Sequence, residues 1–138
     1  MQLKTFTQAW ISDVEYEYRQ NAYSILQYTS AGREHSHLPK KSNGLPFPVE
    51  ETIIDTSLNP GRMILRDGYV EVVASTMWLG KRFWECVGTV KKHSLLDAKW
   101  IHVDALENEV VKLTAAEHCF VDVSTSEIQN KLRDILYS

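Results

Sequence analysis

Glu34-His35-Ser36-His37 is the densest group of potential metal ligands in the chain. On an extended backbone, residues two apart point to one side, so His35 and His37 could offer two imidazoles to a divalent ion, with a carboxylate from elsewhere completing the set. Sites built on such a pair need a glutamate a few residues later and a further histidine, or a serine and an aspartate at set distances. Leu38-Pro39-Lys40-Lys41 follows instead, and Ser42 and Asp55 do not fit. The favoured reading is therefore two exposed histidines in a polar loop beside Arg33 and Lys40, with His35 and His37 kept as metal candidates.

Glu85 is the candidate for acid–base chemistry. If alternation along a strand places it among Trp78, Phe83 and Val87, its carboxyl loses hydration, its pKa rises and it can act as a general acid or base. Exposure at a sheet end, or pairing with a base across the strand, is the plainer reading and the preferred one. His102 and Asp104 share a strand face and could form an orienting pair. Arg62, Arg66, Tyr69, Met77 and Trp84 make a third group. Aromatics that stack a ring, with an arginine that binds an anion, would suit a ligand pocket. The same residue types are enriched at protein interfaces, and they would also serve as a second core layer beneath the N-terminal segment.

These residues are positioned by elements that the sequence sketches. Residues 8–30 read as a helix with Trp10, Val14, Tyr18, Ala22 and Ile25 in a stripe, or as a hairpin about Gln20-Asn21 that collects Val14, Tyr16, Tyr18, Tyr23 and Ile25 on one face; the hairpin is favoured. Gly32 to Glu51 carries three prolines and two glycines, too many for regular hydrogen bonding. A loop of that length inside a compact domain is often functional, which makes it the first place to seek a site. Asp67-Gly68 is a strong type I′ hairpin signal and Gly80-Lys81 a type II′ signal, so a three-stranded antiparallel meander is expected from Arg62 to about Lys92. Within it Met63, Leu65, Val70, Val72, Ala74, Trp78, Phe83 and Val87 would face the core, with the Arg62, Arg66, Tyr69, Met77, Trp84 set opposite. Two strands around Glu107-Asn108, a strand over His118 to Val123 and a helix from a Ser124/Glu127 capping box, striped by Ile128, Leu132, Ile135 and Leu136, complete the chain.

The fold expectation is a mainly β or α+β chain forming one domain over 1–138. Its core would be an antiparallel meander in a strongly curved sheet or partly closed barrel, with one C-terminal helix. The 138 residues are 43% hydrophobic and 24% charged, with a net charge of -3. Such a chain can bury enough surface to fold without disulfides or a structural metal, so Cys86 and Cys119 are expected as reduced thiols in a cytoplasmic protein. Neither a signal peptide nor an apolar run of membrane-spanning length is evident. Net acidity disfavours nucleic acid, although Lys40-Lys41, Lys81-Arg82 and Lys91-Lys92-His93 lie near Phe47, Phe83 and Trp84, which could stack bases. Phosphate-loop, dinucleotide, zinc-ribbon and nucleophile-elbow motifs are absent and no cofactor is called for. Two functions follow as expectations. One is a non-catalytic binding domain for a small ligand or protein partner on the Arg62, Arg66, Tyr69, Met77, Trp84 face, with homo-oligomerisation open. The other is a small enzyme using Glu85 or the His35/His37 pair.

Overall fold

A computed structural model of the chain describes residues 6–138. Strand β1 (Gln8–Ile11) leads to helices α1 (Val14–Asn21) and α2 (Ile25–Ser30). Two short ribbons follow, β2 (Lys40–Ser42) with β3 (Thr52–Ile54), and β4 (Ile64–Arg66) with β5 (Tyr69–Glu71). Next come β6 (Thr76–Leu79), α3 (Lys81–Val87), α4 (Thr89–Asp97), β7 (His102–Ala105), β8 (Val111–Thr114) and α5 (Ser126–Tyr137). The fold is mixed α and β. All strand pairing is antiparallel, and the largest sheet has the order β1-β6-β8-β7. Its ends, β1 and β7, do not pair, so this sheet is open and not a barrel.

Alternation along β6 and β8 puts Met77 beside Leu113 and Leu79 beside Val111 on one face. That face is fully or almost fully buried against Phe83 and Trp84 of α3, Leu95 of α4, and Leu132 and Leu136 of α5. Three helices thus cover one side of the sheet. The expected stripe of α5 is present, with Leu132 and Leu136 at its centre, but the expected capping box is not: the helix starts at Ser126, and Ser124 donates its backbone N–H to Asp122 instead.

The first segment is helical where a hairpin was favoured. Asp13 caps α1 by accepting the Tyr16 N–H at 2.8 Å, and Glu15 pairs with Arg19 one turn on at 2.6 Å. Both are helix devices that a strand could not use. Tyr16 then reaches Gln129 of α5 through its hydroxyl, which fixes α1 to the rest of the molecule.

In the middle, the Asp67-Gly68 hairpin forms in the expected register, with Arg66 opposite Tyr69 and Leu65 opposite Val70, but its turn is not the expected type I′, because Gly68 has positive φ (87°) and Asp67 does not. The second hairpin does not form. Gly80 has φ −89° and ψ 176°, whereas the first central position of a type II′ turn needs positive φ. Its glycine serves close approach: an added Cβ would lie 2.3 Å from the Phe6 carbonyl oxygen, and its N–H donates to Thr7. Residues 81–87 and 89–97 are helical, with a break at Gly88, so Phe83, Trp84, Glu85 and Val87 do not alternate along a strand. The face assignment fails for a related reason. Val72 to Ser75 is buried at every position and interrupts the strand, so alternation cannot be carried from β5 into β6; Met77 is core, and Leu65 is exposed. His118 to Val123 is likewise not a strand.

Candidate functional site

The five residues expected on a mixed binding face are distributed through the packed structure. Met77 is completely buried in the sheet and Trp84 nearly so on α3. Tyr69 stacks on Tyr137, with ring centroids 6.1 Å apart, and meets Phe83 edge-on. Arg66 holds Glu71 at 2.8 Å, and the Arg62 carbonyl accepts a hydrogen bond from Arg133. These residues join β4, β5, α3 and α5 and present no open aromatic surface. Arg133, itself buried, is the hub that sequence reading overlooked: it bonds the carbonyls of Pro60 (3.2 Å) and Arg62 (2.7 Å) and lies 3.4 Å from Glu71. Burial lowers its pKa, and the Glu71 carboxylate opposes that shift. Burial likewise raises the pKa of the Tyr137 hydroxyl, which bonds both the N–H and the carbonyl of Val72.

Glu85 is exposed on α3, beside a hollow of about 160 Å³ that Trp84 also lines with Lys81, Thr89, Lys92 and Glu109. The desolvated carboxyl that a general acid requires is not formed. His102 and Asp104 do pair, Nε2 to Oδ1 at 3.1 Å, on the exposed edge strand β7. Among the described residues no three His, Cys, Asp or Glu side chains gather as a metal set. His35 lies edge-on to Tyr28, 6.1 Å between centroids, while His37 lines a cleft that Tyr28 also walls. Of the three basic clusters with neighbouring aromatics, only Phe47 remains exposed for stacking, because Phe83 and Trp84 are core. Cys86 and Cys119 are unbridged.

The Gly32 to Glu51 segment is not wholly irregular as expected, since Lys40–Ser42 falls between its prolines and pairs with Thr52–Ile54, and it gathers an unusual set of groups. Its first half, with α1, α2 and β3, walls a cleft of about 480 Å³ lined by Arg19, Tyr28, Arg33, Glu34, His37 and Asp55 among others. Glu34 turns back to accept the N–H groups of His35 (3.0 Å) and Ser36 (2.7 Å), and hydrogen bonding to Ser36 and His35 holds its pKa down to about 2. Asp55 accepts the Ser57 N–H and pairs with Lys41 at 3.4 Å; these contacts, Ser57 first, lower its pKa too.

The second half connects β2 to β3 and projects three apolar side chains. Leu45 is 52% exposed, Phe47 90% and Val49 58%. The backbone beneath them is pinned: Asn43 donates through its side chain to the Val49 carbonyl and accepts the Leu45 N–H, its own N–H reaches Glu51, and Ser42 accepts the Gly44 N–H. Asn, Ser and Gly thus close the loop while Pro46 and Pro48 restrict its φ angles. Comparison of the chain with protein-family models, with curated proteins and with solved structures finds no match.

Proposed function

We propose that the chain is a non-catalytic binding domain that engages a protein partner through the apex of the β2–β3 loop. The carrying observation is Phe47, 90% exposed between Leu45 and Val49 on a loop closed by its own hydrogen bonds. Scattered exposed apolar residues are ordinary, but three within five positions on an apex closed by its own hydrogen bonds are a local concentration that the fold leaves to solvent. Protein interfaces concentrate their energy in such aromatic anchors, which enter a pocket while a polar rim excludes water. Here the rim carries both signs, Lys40 and Lys41 on one strand and Glu50 and Glu51 on the other. That balance gives no net attraction to an anionic membrane surface and suits a partner with a mixed polar surround.

A photoreactive phenylalanine analogue at position 47, introduced in the native host cell, tests this reading. Irradiation is expected to give one discrete protein adduct, whereas the analogue at Leu58, 87% exposed on a separate turn, gives none. No adduct at 47, or the same adducts from both positions, would contradict it. The enzyme alternative, built on Glu85 or on His35 and His37, lacks a supporting constellation among the described residues.

A further inference from the structure

The cleft behind the loop apex has a different character, set by which of its polar groups are already engaged. Each of its carboxylates is engaged through one oxygen: Glu34 Oε1 accepts the N–H groups of its own turn, and Asp55 Oδ1 accepts the Ser57 N–H and faces Lys41. Its amides are each engaged at one end, since Asn59 donates to the Gln20 carbonyl at 2.9 Å and the Gln20 side chain accepts the Gly61 N–H at 2.8 Å. The Tyr28 hydroxyl donates to the Ala22 carbonyl. Arg19 is bound to Glu15 at 2.6 Å.

Two groups stand apart. Arg33 lies over the Tyr18 ring, 4.9 Å from its centroid, and its nearest carboxylate is the same Glu15 oxygen at 3.9 Å, already taken by Arg19. Two guanidinium groups therefore share one carboxylate, and the Arg33 side chain makes no hydrogen bond among the described residues. The His37 ring makes none either. An arginine has five donors in a planar fork that matches the oxygens of a carboxylate or phosphate. The remaining wall, formed by Tyr28, Leu38, Pro39 and Ile54, is apolar.

We propose that this cleft binds a small organic oxyanion, with the acid group on Arg33 and His37 and the apolar body against Tyr28, Leu38, Pro39 and Ile54. The unengaged donors of Arg33 and His37 suit an anion, and Arg33 in particular can meet its oxygens as a planar fork. The site is independent of the loop apex, so a protein partner and a small acid could be bound by the same chain.

The test is an NMR titration of the labelled full chain with phenyl phosphate, with benzoate and with neutral benzyl alcohol. One or both acids are expected to give saturable shifts in the amides of residues 33–39 and 54–55, with no such response to the alcohol. Preference for phenyl phosphate assigns the site to phosphate esters, and preference for benzoate to carboxylic acids. Arg33→Gln should weaken binding by about tenfold or more, as expected for loss of a charge-assisted bidentate pair, while Arg82→Gln, exposed on α3 and outside the cleft lining, changes it by less than about threefold. If Arg33→Gln shifts resonances beyond the cleft, His37→Ala provides the same comparison. Absence of saturable binding at millimolar acid, an equal response to benzyl alcohol, or affinity unchanged in both variants would overturn the proposal.

Discussion

Arg133 shows how a single buried charge can decide the assembly of this molecule. It joins α5 to the Pro60–Arg62 segment and to Glu71, and its loss would leave two carbonyls and a mostly buried carboxylate short of a donor. Arg133→Ala is expected to cost about 3 kcal/mol, near the lower end for breaking a buried pair because Arg66 still neutralises Glu71. Arg66→Ala, which removes a half-exposed partner, should cost less than about 1 kcal/mol. Urea denaturation of the two variants checks the order, and equal losses would contradict it. Glu34 supplies a pH test. Its folded-state pKa lies near 2 against an ordinary 4.5, so its contribution to the 34–36 turn is complete above pH 4.5 and is lost as pH falls through about 2. A carboxyl titration by NMR should place the Glu34 midpoint near 2; a midpoint near 4.5 would show that the turn is not formed. Met77 and Trp84 were read as part of a binding face, with core packing as the alternative, and both are core. Deciding between those roles required the helices that bury them, and these are remote in sequence.

Elements were legible where their signals were local. Asp67-Gly68 marks the hairpin, which formed in register, although only Gly68 takes the positive φ that the expected type I′ turn needs at both positions. The strands on either side of Glu107-Asn108 and the stripe of α5 were equally plain. Gly80 was misread because glycine carries two meanings, positive φ and close approach, and only the neighbouring strand distinguishes them. The Phe6 carbonyl supplies that distinction, and Gly80→Ala should destabilise the fold by about 1–3 kcal/mol, as overpacking does. An unchanged melting temperature would show that β1 does not pass so near. The helix over 14–21 had a signal that was available and not weighed, namely Asp13 as cap, Glu15 and Glu17 in the first turn, and Arg19 four residues after Glu15. Likewise, Phe83, Trp84 and Val87 share a helix face as readily as they alternate on a strand. For such short segments the period does not discriminate, and the turn assigned at Gly80 decided the matter wrongly.

At the scale of the whole molecule, the helices and the open sheet make a core on one side, and the β2–β3 ribbon carries groups that this core does not need. The stretch from Gly32 to Glu51 was legible as a departure from the regular elements, because its prolines and glycines carry no periodicity; its cleft and apex depend on tertiary hydrogen bonds and were not legible. Stability and binding should therefore separate. Phe47→Ser touches no buried contact and is expected to change unfolding free energy by less than about 0.5 kcal/mol, while removing the adduct-forming contact at the apex. A loss of more than about 1 kcal/mol would mean that Phe47 packs within the fold. The central claim is that the loop presents a preformed contact surface, and backbone order parameters for residues 43–51 test it most directly. Values near 0.85, as in the sheet, are expected from a loop closed by the Asn43 and Ser42 hydrogen bonds, whereas values below about 0.6 would show a flexible tether and contradict a preorganised anchor.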